Sequence, residues 1–108
     1  MTSASIDQLV EQAKKGVNLG VPQLLIPSIR AIRRHPDFQL RRPELEPVVK
    51  SMEAEGYARG LPILLGTAEQ YAKAGDTLSR DKLLETAKYC AGVIGKDISD
   101  DIAKIEII

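Results

Sequence analysis

The sequence predicts an all-α protein, a compact bundle of five to six short antiparallel helices. Three observations carry this. Apolar residues recur at i, i+3, i+4 and i+7 through almost the whole chain. No stretch outside the last four residues alternates with period two over six residues, and no Asn-Gly or Asp-Gly hairpin signal occurs. The periodic segments are joined by about 3 to 8 residues, which favours antiparallel neighbours.

In the first segment Ile6, Leu9, Val10 and Ala13 share a face, with Ser5 or Ser3 as N-cap, Asp7 in the first turn, and Lys14, Lys15 and Gly16 as last turn and stop. The second, from about Val21 to His35, puts Leu25, Ile29 and Ile32 on one stripe. Pro22 suits a first-turn position, whereas Pro27 predicts a kink or a restart, and Pro36 ends the segment. The third opens at Pro43, places Glu44 and Glu46 against the positive end of the dipole, and runs through Leu45, Val48, Val49 and Met52 to about Tyr57. Pro47 repeats the problem of Pro27, and Gly56 and Gly60 are expected to close the segment.

The fourth segment spans about Leu61 to Ala74 and stops at Gly75, with Glu69 and Lys73 four apart on its exposed face. The fifth follows Thr77 or Ser79, with Leu83, Ala87, Cys90, Ala91 and Ile94 inward and Gly95 at its end. Ser99 is expected to cap a last short segment carrying Ile102, Ile105 and Ile108. Residues 105–108 are dense in β-branched side chains and could form a strand, but Ile98, Ile102 and Ile105 keep a helical rhythm, so helix is preferred.

The alternative architecture is a short helical-repeat array of αα-hairpins. Pro22, Pro43 and Pro62 open apolar segments at intervals of 21 and 19 residues. The turn at Tyr71–Asp76 resembles one inside a tetratricopeptide-type pair, yet the 34-residue period with its Trp, Leu-Gly and Pro positions is missing and no family follows.

Composition narrows the function classes. The 108 residues carry 15 Lys and Arg against 15 Asp and Glu, so no global field recruits nucleic acid or an anionic membrane. The length fits a single helical domain, 1–108, and 44% hydrophobic residues is normal for a globular one. One cysteine makes no internal disulfide, and with one histidine it cannot complete a zinc site, so no metal and no cofactor are expected. The start, Met1 to Asp7, lacks the basic and apolar regions of a secretory signal, and no apolar run approaches a membrane span, so the expected location is cytoplasmic and no membrane is a partner.

The most distinctive local feature is basic. Arg30, Arg33, Arg34, Arg41 and Arg42 fall within 13 residues, with His35 among them and only Asp37 opposing. Arg30, Arg33 and Arg34 share one side of a helix, and Arg41 and Arg42 are expected on the following loop, from which they can fold back. Guanidinium forks match carboxylates and phosphates bidentately. The plainest reading is a charged helix end, with the loop pair bridged to Glu44 and Glu46. Next comes an acidic protein partner, and nucleic acid is third. The only aromatics are Phe38, Tyr57, Tyr71 and Tyr89, three of them better placed for packing than for stacking bases. The C-terminal segment is no repressor-type recognition helix, because Asp100 and Asp101 would repel phosphates.

His35 reads as a helix-end histidine and Cys90 as a buried thiol. The pairs Glu44/Glu46, Glu53/Glu55 and Asp100/Asp101 read as solvated faces. With no nucleophile–base or metal constellation, a self-sufficient enzyme is not expected. The leading reading is a small interaction or adaptor module that contacts an acidic or phosphorylated partner through the five arginines. Nucleic-acid or phosphate binding by the same cluster, or a non-catalytic subunit of a larger complex, are the alternatives. Ile105, Ile107 and Ile108 are candidate apolar contacts, for a partner or for a homodimer through the C-terminal segment.

Overall fold

A computed structural model describes residues 5–108, and every regular element among them is helical. The order is α1 (Ile6–Leu19), α2 (Pro22–Arg34), α3 (Pro36–Leu40), α4 (Arg42–Lys73), α5 (Thr77–Ile94) and α6 (Ser99–Glu106). Together they form a six-helix bundle of 48 × 31 × 20 Å, as the periodicity predicts. Helix α4 is the spine. The α1–α2 hairpin packs on its first half, α5 returns antiparallel along its second half, and α6 closes against it.

The helix ends follow elementary capping chemistry. The Ser5 hydroxyl accepts from the Gln8 N–H while the Gln8 side chain accepts from the Ser5 N–H, which satisfies two donors that helix geometry leaves open. Ser3, the other candidate cap, lies outside the described residues. Asp76 caps α5 by accepting from the N–H and the hydroxyl of Ser79. Helix α6 begins differently from the expectation. Asp97, not Ser99, supplies the oxygen, accepting from the Ser99 N–H and hydroxyl, and Ser99 is the first helical residue. The tail is helix through Glu106, not strand.

Three expectations need correcting, and the same physics explains each. Gly16 does not stop α1; the helix runs on to Gly20, whose φ of 65° takes the left-handed conformation that ends it. Gly56 and Gly60 do not separate two segments, because α4 passes through both as one 32-residue helix. A Cβ on Gly60 would sit 2.4 Å from the Pro22 ring, and one on Gly56 would sit 2.3 Å from Leu25 Cδ2. These glycines are small so that α2 can lie close against α4, and not because the backbone must turn. Pro27, Pro47 and Pro62 neither restart nor end their helices. All three lie on exposed faces, where water can take the carbonyl that each leaves without a donor. Past Pro36, five residues form the separate helix α3, which the sequence does not predict.

One core runs through the molecule. Leu25, Ile29 and Ile32 of α2 meet Val49, Tyr57, Leu61 and Leu64 of α4, Leu84, Ala87, Cys90 and Ala91 of α5 join from the other side, and Ile98, Ile102 and Ile105 seal the C-terminal end. Each large aliphatic side chain buried here contributes about 1.5–3 kcal/mol relative to exposure. Leu83 and Ile94, expected inward, are only partly buried.

Candidate functional site

The arginines that crowd together in sequence part company in space. Arg33, near the end of α2, reaches across to α4 and donates from Nη1 and Nη2 to both carboxylate oxygens of Glu53 at 3.2 and 2.9 Å. Its Nη2 also donates to Glu46 at 3.3 Å. Glu53 is 5% exposed, which corrects its reading as part of a solvated face. A buried carboxylate needs a charged partner, and the Arg33 fork supplies it. The guanidinium is held protonated even more firmly than usual, through its hydrogen bond to Glu53 against the opposing cost of burial.

Arg41 is the turn residue between α3 and α4, on the connection where the sequence places it. It caps α4 and turns toward α1, donating to Asp7 at 3.0 Å and to Glu44 at 2.8 and 3.2 Å. Glu44 is thereby held below the usual carboxylate range, chiefly by the Arg41 hydrogen bond. Arg42, expected on the same loop, is instead helical, the first residue of α4. Arg34 and Arg42 are exposed and have no ion pair among the described residues. Arg30 lies over the ring of Tyr89, 5.6 Å from its centroid, in a cation–π contact between α2 and α5. His35 accepts the Asp37 N–H at its Nδ1 and so caps α3.

Beside Arg33 a groove of about 560 Å³ opens where α2, α4 and α5 meet. One wall is charged, with Arg33, Glu53 and Lys50; the other is Tyr89, Val93 and Ile94 of α5, with Ala54 between. Tyr89 and Val93 are 40% and 42% exposed, so the apolar wall faces solvent. A second groove of about 330 Å³ continues past Tyr89 along α2 and α5, lined by Ile26, Pro27 and Arg30 and by Glu85 and Thr86. Of the five sequence-nominated arginines, Arg33 lines the first groove and Arg30 the second, while Arg34, Arg41 and Arg42 line neither.

Lys50, Tyr89 and Val93 were not singled out by sequence as binding residues, because they come from two other helices. One sequence signal for the site existed. Glu53 stands on the apolar stripe between Val49 and Tyr57, where a carboxylate requires a cation from another element.

The C-terminal isoleucines divide. Ile105 is 6% exposed and belongs to the core, holding α6 to α4, while Ile107 and Ile108 are 83% and 51% exposed. Cys90 is fully buried and its thiol is pushed up to about 11 by that burial, so it remains protonated at neutral pH. Among the described residues no group of three or more His, Cys, Asp or Glu side chains is placed to hold a metal ion. No helix among them is long and apolar enough to cross a membrane. In comparisons with known proteins, no family model, curated protein or solved structure matches the chain.

Proposed function

We propose that this chain is a non-catalytic interaction module that docks an acidic, amphipathic segment of a partner protein in the trough between α2, α4 and α5. One observation carries the reading: Arg33 and Lys50 line one groove with the exposed apolar side chains Tyr89 and Val93, and Arg30 lines the neighbouring groove that shares Tyr89. Aromatic and arginine side chains in a concave setting are the residue types that anchor protein interfaces. Arg30 and Lys50, with the exposed Arg34 one turn beyond Arg30, would steer an acidic partner and set its orientation, and the α5 wall would supply affinity. Arg33 is matched by Glu46 and Glu53, so the positive charge offered to a partner comes from Arg30, Lys50 and the exposed Arg34.

The test is a titration of the isotope-labelled protein with a synthetic helical peptide that carries Glu on one face and Leu on the other, followed by amide chemical shifts. A control peptide has Gln in place of Glu. Saturable shifts should cluster at Lys50, Ala54, Tyr89 and Val93, and Arg30→Glu with Lys50→Glu should weaken binding by about tenfold or more. The Gln peptide should bind more weakly than the Glu peptide. Shifts confined to the α1–α4 side, or none, would remove this reading. Binding of single-stranded RNA with a steep loss in salt would replace the acidic protein by nucleic acid.

A further inference from the structure

Tyr57 is fully enclosed, and its hydroxyl is the buried side-chain polar atom that has no hydrogen-bond partner among the described residues. Folded proteins leave few such groups. Tyr57 follows Glu53 by four residues on α4, and helical side chains lean back over the preceding turn, so its ring lies over the turn that carries Glu53. The ring also meets Tyr89 edge-on at 6.1 Å between centroids, and Tyr89 lines the groove together with Arg33 and Glu53. Burial first, then the nearby Tyr89, Glu53 and Cys90, keep the proton on this hydroxyl, with Arg33 opposing. It is thus a protonated donor one helical turn from a carboxylate whose two oxygens both accept from Arg33.

We propose that Arg33 is an exchangeable partner: a carboxylate of the docked segment takes the Arg33 fork, and Glu53 turns to the Tyr57 hydroxyl. This rests on the docking reading above and names the side chain that makes it work. Without a second donor, Arg33 could not leave Glu53, because an uncompensated charge would remain in the interior. With Tyr57 the exchange gives Glu53 one hydrogen bond and satisfies an existing orphan, and the positive charge must come from Lys50. Lys50, three residues before Glu53 and exposed in the same groove, stays close enough to contribute positive charge. Arg33 is 36% exposed, so an incoming carboxylate can reach its fork from the groove while Glu53 stays covered.

A thermal double-mutant cycle tests the exchange without any ligand. In the wild-type background Tyr57→Phe should leave the melting temperature unchanged or raise it, since only an unpartnered hydroxyl is lost. In the Arg33→Ala background, where Glu53 has turned to Tyr57, the same substitution should lower it by about 4 °C. A shift of the same sign and size in both backgrounds overturns the proposal. Should Arg33→Ala not fold, Arg33→Lys, which satisfies one oxygen of Glu53, must show the same reversal. With the acidic peptide, Tyr57→Phe should weaken binding about tenfold, and equal affinity for wild type and variant overturns the exchange. If the peptide binds neither protein, docking fails and the exchange with it, while the sign of the cycle still decides whether Glu53 can turn to Tyr57.

Discussion

Two places in this bundle hold an arginine between two carboxylates, and they differ in almost everything else. At the α2–α4 seam, Arg33 meets Glu53 and Glu46; at the α1–α4 edge, Arg41 meets Asp7 and Glu44. The distances are alike, 2.9 and 3.3 Å against 3.0 and 2.8 Å. The side chain of Glu53, however, is 7% exposed, while those of Asp7 and Glu44 are 73% and 62% exposed. Water competes for every bond at the edge, so that cluster contributes little and fades with salt. At the seam the carboxylate has lost its water, and removing its partner leaves a bare charge in the interior. Geometry alone does not rank the two arginines; the solvent excluded around them does.

The largest effect should come from breaking the seam itself. Gly60→Ala places a Cβ 2.4 and 2.5 Å from two ring carbons of Pro22, which cannot rotate away. The substitution should cost about 3 kcal/mol in urea denaturation. Gly66 sits on the same helix with nothing within 4 Å of an added Cβ. There Gly66→Ala should stabilise by about 0.5–1 kcal/mol, since alanine loses less backbone freedom on folding. If both substitutions behave alike, the close approach of α2 to α4 is not what these glycines serve.

Next in size is the loss of the buried pair's cation. Arg33→Ala should destabilise by about 2 kcal/mol, below the usual figure for a buried pair because Arg33 is itself partly exposed. Arg33→Ala together with Glu53→Gln should recover part of this, since a neutral amide tolerates burial better than an unpaired charge. A fully additive double variant would mean that Glu53 is wetter than its burial implies.

The seam also marks the boundary of what the sequence made legible. Periodicity and capping chemistry located the start of α1 and both α2 and α5 well, because Ser5, Pro22 and Gly95 act within one turn of chain. Gly56, Gly60 and Pro62 misled for a physical reason. A glycine that stops a helix and a glycine that admits another helix are the same letter, and only the partner's position separates them. A proline on a solvated helix face likewise resembles one that breaks the helix. The candidate site follows the same rule. Arg30 and Arg33 were visible as a run of charge, but their alignment with Lys50, Tyr89 and Val93 depends on how α4 and α5 pack. Arg41 belongs to the same run, and its place in the α3–α4 turn directs it to Asp7 of α1.

The smallest effect belongs to the edge, and its signature is in pH. Glu44 has its folded pKa lowered by Arg41. A carboxylate with a depressed folded pKa contributes stability that is present above its unfolded pKa, about 4.3, and is lost as pH falls through the folded one. Arg41→Ala should therefore lower the melting temperature by no more than about 2 °C at pH 7. The difference from wild type should shrink as pH falls below about 4 and vanish once Glu44 is protonated in both states. Half-molar salt at pH 7 should erase most of it as well. Arg33→Ala should keep most of its deficit in the same salt, because Glu53 is shielded from the ions that screen Glu44. Equal salt sensitivity in the two variants would mean that the seam and the edge are electrostatically alike, and burial would no longer separate them.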